Sequence, residues 1–252
     1  MAPTDSITIT APMADPAACT SLLPDGRLLR LLHLVSPTLP IGGYSYSHGM
    51  EMAVERGWVT DQAQAGEWIR GILHHCWVRL DGPILWRLHG AMLSGERETF
   101  DRWCAELHAS RETAELLAED AHLGRALLRV LAAWDLPEAA AWFAQVDTDS
   151  AAPAPGFAAV FAAAAALYGI GTRETVLAWL WNSVDSQVAA AVKLVPLGQT
   201  AGQALLLELG AELPVCVARI GGTKDDEITG AAPGLALASA LHETQHTRLF
   251  RS

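Results

Sequence analysis

Along most of this chain apolar residues recur every three or four positions, the spacing of one face of an α-helix. Trp68, Ile72, Leu73 and Trp77 form one such row, and Asp61 with Gln64 ahead of it resembles a capping box. Leu116, Leu117, Leu123, Leu127, Val130 and Leu131 predict a second long helix between Ser110 and Trp134. A third face runs Val176, Leu180, Val184, Val188, Val192 in steps of four, with Thr172 placed to cap it and Pro196 to interrupt it. A further helix fits Leu197 to Leu209, and a last amphipathic stretch runs from Leu235 to Phe250. Alternating β-branched runs are nearly absent, Ile7–Thr10 and Pro214–Ile220 being the weak strand candidates. The pattern predicts an all-α protein, a single-domain helical bundle of about ten helices.

Around that core the punctuation residues set boundaries. Residues 1–26 mix Pro, Asp, Thr and Ala without periodicity and read as a disordered lead-in. The helical domain is expected over 27–222, and 223–252 reads as a Gly-rich, acidic linker followed by a C-terminal partner-docking tail. Gln145–Gly156 is a loop by composition, flanked by helices of similar character and so an insertion within one domain.

Charge narrows the function. Seventeen basic against 28 acidic residues give a net charge of −11, which argues against nucleic acid and against anionic membrane surfaces as partners. The longest apolar stretch, Phe157 to Ile170, is alanine-rich and too short to cross roughly 30 Å of hydrocarbon. Four scattered cysteines form no C-x-x-C pair, and the opening residues have neither a basic start nor an apolar run of the secretory kind. The expected setting is reducing and cytoplasmic.

Catalytic motifs are sparse. The only lysines, Lys193 and Lys224, do not follow a glycine, so no P-loop is present. Gly169-Ile170-Gly171 begins like a dinucleotide fingerprint, but Glu174 occupies the place of the last glycine. No G-x-S-x-G elbow occurs. His242-Glu243-Thr244-Gln245-His246 is a literal H-E-x-x-H, which on a helix would set two histidines on one face for zinc with Glu243 as general base. A zinc-dependent hydrolase is therefore the alternative reading, although only six residues follow His246 to supply a third ligand. His74-His75-Cys76 offers three metal-binding side chains in a row, which a helix would splay about 100° apart.

The stretch Ser36 to Glu51 (SPTLPIGGYSYSHGME) has a different character. Pro37, Pro40, Gly42 and Gly43 fix a turn, and Tyr44 and Tyr46 follow it among small polar residues. Tyrosines presented this way suit a recognition loop. With Ala53 to Val59 (AVERGWV), this stretch resembles the N-terminal signature of the UreF family of urease accessory proteins. Ser110 to Leu116 with Gly124 to Leu127 resembles that family's central helix, and Ala190 to Gln203 (AAVKLVPLGQTAGQ) its most distinctive helix pair. His242 to Gln245 and Arg248 to Ser252 resemble its C-terminal tail. The likeness covers about residues 27–252. Leu117 and Ala121 depart from it where polar residues are usual, as does Ala204 where arginine is common.

The resemblance implies a homodimer without catalytic residues or a resident cofactor. It implies three further partners: a UreD/UreH-type accessory protein, a UreG-type GTPase and urease apoprotein, into which nickel passing through the complex is inserted at the expense of GTP. On this reading Tyr44, Ser47, Glu51, Lys193, Gln199, Gln203, His242 and Arg248 are the expected partner-binding residues, and no residue is assigned as a metal ligand. Lys193 stands out chemically, being a cation in a run of Ala, Val and Leu one turn before Pro196.

Overall fold

A computed structural model describes residues 25–134, 136–144 and 155–251, and every regular element among them is helical. The expected lead-in lies outside the described residues up to position 24, as do Ile7–Thr10 and most of the 145–156 loop. The helices are α1 (Asp25–Leu34), α2 (Met50–Glu55), α3 (Gln62–Ile72), α4 (Gly82–Ser94), α5 (Arg97–Ala109), α6 (Ala114–Ala133), α7 (Pro137–Ala144), α8 (Phe157–Leu167), α9 (Thr172–Leu194), α10 (Gln199–Gly222) and α11 (Pro233–His242).

Local chemistry explains where several begin. Asp61 caps α3 by accepting the N–H of Gln64 at 2.9 Å. Gln64 then reaches back one residue beyond the usual capping box, accepting the N–H of Thr60 at 2.8 Å. Thr113 caps α6 through the N–H of Leu116. At α9 the cap position falls to Gly171 rather than Thr172, whose hydroxyl is turned toward His89.

Two helices run on where the sequence pattern breaks. α3 continues through a π-helical stretch, Leu73–Asp81, directly into α4. There the N–H of Gly82 bonds Trp77 five residues back. The wider turn leaves room for Pro83, whose ring would strike the carbonyl four residues before it in an α-helix. The expected strand Pro214–Ile220 is instead the last part of α10. Leu213, Cys216, Val217 and Ile220 bury one helical face, while Pro214 and Val215 point outward.

The core is organised around α8, buried on every side from Phe157 to Ala165 and packed against α4, α6 and α9. α9 and α10 form a hairpin whose close approach depends on Gly202, since a Cβ there would lie 2.5 Å from Val192 Cγ2. No described helix is long and apolar enough to cross a membrane.

Two of the polar groups inside this apolar frame bear on its stability. Arg111, at the entry to α6, donates to Asp81 at 2.6 Å and pairs with Asp120 at 3.5 Å, while Asp120 accepts the N–H of Phe157 at the start of α8. Burial alone would pull the guanidinium down, but the two carboxylates outweigh it and hold its pKa above the ordinary arginine value. The cluster borders a cavity of about 120 Å3, enough for a few waters. Arg111 Nε, Trp179 Nε1 and Gln187 Oε1, on three of its lining residues, have no protein partner.

The second group is His89 of α4, fully buried. Its Nε2 lies 3.1 Å from the Ile170 carbonyl and its Nδ1 3.0 Å from the Thr172 hydroxyl. A neutral ring satisfies both, donating to the carbonyl and accepting from the hydroxyl. Burial lowers its pKa, with the Ile170 carbonyl as a partial offset. The unfolded chain, with an ordinary histidine near 6.5, therefore takes up this proton first. His89 thus stabilises the fold fully above about pH 6.5 and progressively less as pH falls below it, by at most ~1.4 kcal/mol per pH unit. Urea titrations at pH 7.5 and 5.8 should show this loss in wild type and a smaller one in His89→Gln; equal losses would assign the effect elsewhere.

Candidate functional site at Glu51 and the C-terminal segment

The turn after α1 presents Tyr44 by backbone geometry. Gly42 and Gly49 both take φ of +78°, a left-handed conformation open to glycine. Gly49 also lies against α11, where a Cβ would come 3.0 Å from Leu235 Cδ1. Between them His48 holds φ +52° without being glycine, and its ring lies 3.5 Å from Glu119 of α6. The outcome is a loop with Tyr44 71% exposed and Tyr46 and Ser47 buried. Burial raises the Tyr46 hydroxyl's pKa, partly offset by a hydrogen bond with Arg251.

Just behind this loop sits a buried carboxylate. Glu51 lies in the first turn of α2, its N–H donated to Ser47 Oγ at 3.2 Å. Its side chain accepts the backbone N–H groups of Leu249 and Phe250, each at 2.7 Å, and the Gln245 amide at 3.4 Å. The C-terminal segment is thus folded onto the body: Phe250 is buried, and the N–H of Arg251 donates to the Ser45 carbonyl at 2.8 Å. In place of a loosely tethered tail, the structure shows a segment packed on its own domain. The predicted helix Leu235–Phe250 stops at His242 because the residues beyond spend their hydrogen bonds on α2 and α6 instead of on a further turn.

His242 and Arg248 complete the contact. His242 is fully buried, with Nδ1 2.9 Å from Glu115 of α6 and Nε2 3.4 Å from Glu51. Arg248 donates to the other oxygen of Glu115 at 2.9 Å. On the outer side, the Lys193 ammonium lies 5.9 Å from the Tyr44 ring centroid and 5.4 Å from that of Phe250, within cation–π range of both. The lone cation in its apolar run is accordingly exposed, resting on two aromatic faces.

Tyr44, Ser47, Glu51, Lys193, His242 and Arg248 therefore converge. Ser47, Glu51 and His242 are buried and hold the cluster together, while Tyr44, Lys193 and Arg248 are exposed on its outer side. Gln199 and Gln203 are exposed on the first turns of α10, and none of the hydrogen bonds or ion pairs among the described residues joins them to this cluster. Glu115 and Phe250 were missed as site residues, although both fall inside the blocks that carry the family likeness.

The zinc motif does not form. α11 ends at His242, which is buried against two glutamates, and His246 is exposed beyond the helix, so the two rings share no helical face. His74 pairs with Glu212 at 2.8 Å, His75 faces solvent, and burial pushes the Cys76 thiol up to about 12. Among the described residues no group of three His, Cys, Asp or Glu side chains is placed to hold a metal ion.

Comparison with known proteins supplies the deciding observation: the UreF family pattern matches residues 59–210. The chain belongs to the UreF family. The urease accessory protein UreF of Alkalilimnicola ehrlichii is 48% identical over 88% of this chain and 95% of its own length. Those of Azoarcus sp. and Chromohalobacter salexigens are 44% and 42% identical, each over 89% of the chain. With the UreF relatives the alignment spans nearly their whole length, so the likeness extends well outside the 59–210 core.

Proposed function

We propose that this chain is a urease accessory protein without catalytic activity, acting in the cytoplasm. It joins a UreD/UreH-type protein and a UreG-type GTPase on urease apoprotein and supports GTP-dependent insertion of nickel. The observation that carries the reading is near-full-length similarity to urease accessory proteins UreF, in a chain whose family-like blocks converge on one surface. Tyr44 and Lys193 give that surface an exposed aromatic and a cation, side chains suited to anchoring a protein partner. No resident cofactor is assigned; nickel is cargo. A homodimer has a face available on α10, where Ala204, Leu207, Ala211 and Val215 form an exposed apolar row.

The test is co-expression of the urease operon with Lys193→Ala or Tyr44→Ala. Both positions are exposed, so helix content should be unchanged, while GTPase recovered with the complex and nickel per urease active site should each fall about tenfold, the loss of roughly 1.4 kcal/mol expected for a modest hot spot. Wild-type nickel content and GTPase recovery in both variants would overturn the assignment of this surface. A Tyr44→Ala protein with lowered thermal stability but intact recovery would mark Tyr44 as structural.

A further inference from the structure

We infer that the cavity beside Arg111 is a water-binding site, in which a short file of long-lived waters joins α9 to the entry of α6. The site is built from this chain's own residues and does not depend on which partners the protein meets. Its walls are polar at a place where packed helices would otherwise set apolar side chains. α9 contributes Asn182, Ser183, Ser186 and Gln187, all half-buried or buried and together on one face of that helix. The Arg111 cluster with Asp81 and Asp120 lines the same space. A polar lining of this kind is costly unless its buried atoms find hydrogen-bond partners.

Protein groups supply only some of those partners. The Ser183 hydroxyl donates to the Trp179 carbonyl at 2.9 Å, and the Nη1 group of Arg111 donates to Asp81. Arg111 Nε, Trp179 Nε1 and Gln187 Oε1 are buried without one. Two of these three atoms carry N–H donors and the third is an acceptor. An anion would accept from both N–H groups but would meet Gln187 Oε1 and the carboxylates of Asp81 and Asp120. A cation would suit those oxygens and be repelled by the guanidinium and by both N–H dipoles. A neutral molecule that donates and accepts serves all three atoms, and water is the smallest such molecule.

The dimensions agree with this occupant. Trp179 and Gln187 stand eight residues apart in α9. At 1.5 Å per residue that is about 12 Å along the helix axis. Waters hydrogen-bonded in a file lie about 2.8 Å apart, so roughly three or four of them cover the distance. Taking roughly 30 Å3 for each water, the cavity of about 120 Å3 holds about four. Length and volume give the same small number.

Two measurements on the full chain test the site. The first is the water cross-peak of the Trp179 indole N–H in NMR spectra, that signal being the indole resonance lost in Trp179→Phe. Wild type should show a dipolar cross-peak to water, with the sign that marks a molecule held as long as the protein takes to tumble. The second is 17O relaxation dispersion, which counts waters held inside the protein. In the double variant Trp179→Phe with Gln187→Leu, which removes both ends of the file, the count should fall by about two or more. Trp58→Phe alters an exposed residue outside the cavity lining and should leave the count level. Should the double variant fail to fold, the wild-type indole cross-peak decides the matter. An indole N–H with no dipolar contact to water, or a water count that stays level in the folded double variant, would overturn the site.

Discussion

Replacing Arg111 with methionine should lower the melting temperature by on the order of 10 °C, the largest stability loss expected from any single charged residue described. In the pair Asp81–Arg111 the acid is buried and the guanidinium largely so, and Asp120 adds a second carboxylate that also fixes the start of α8. Removing the cation leaves two acidic groups facing a cavity with room for only a few waters, and breaking a buried pair in this way costs about 3–5 kcal/mol. In a chain of this size each kcal/mol moves the midpoint by roughly 2–4 °C. The penalty comes from the stranded charges more than from the worth of the ion pair. Arg111→Met combined with Asp81→Asn and Asp120→Asn should accordingly recover part of the loss. A calorimetric midpoint within two degrees of wild type for Arg111→Met alone would show that the cavity beside it hydrates the acids freely.

Glu51→Gln should release the C-terminal segment while leaving helix content unchanged. Glutamine keeps the size of the side chain but replaces a charged double acceptor by one neutral oxygen and an NH2 that faces other donors. Hydrogen bonds to a charged group contribute about 1.5–3 kcal/mol each. Losing the charge behind two of them at 2.7 Å should raise local opening on the order of 100-fold, since each 1.4 kcal/mol is a factor of ten. Amide exchange at Leu249 and Phe250 and tryptic cleavage after Arg248 both report this opening. If the packed segment is the docking element for the UreD/UreH-type protein, capture of that partner in a pull-down should weaken in the same variant. Unchanged exchange at both amides would show that Phe250 burial, and not Glu51, holds the segment.

Much of the architecture was legible because one apolar row at a time had only one way to be buried. The rows on Trp68 to Trp77, Leu116 to Leu131 and Val176 to Val188 specified α3 with its π continuation, α6 and α9 without reference to one another. The strand expectation at Pro214–Ile220 rests on the alternation of branched residues at Val215 and Val217, whereas the buried face of Leu213, Val217 and Ile220 keeps α10 intact past the proline. The π-helical turn ahead of Pro83 was equally hidden, since a wider turn leaves no mark in a 3.6-residue pattern.

At the site the residue types were readable and their relations were not. Local order along the chain was enough for an acidic, all-helical protein, the glycine-hinged loop around Tyr44, an odd lysine in an apolar run and a C-terminal block with the stamp of the UreF family. It took the packing of the helices to show that Glu51 caps backbone amides 198 and 199 residues away, that His242 lies between Glu51 and Glu115 instead of beside His246, and that Lys193 rests on Tyr44 and Phe250. The physical reason is range. Helix periodicity and turn chemistry act over a few residues and are written in local order, whereas a buried carboxylate takes whichever donors the packing of distant helices delivers to it.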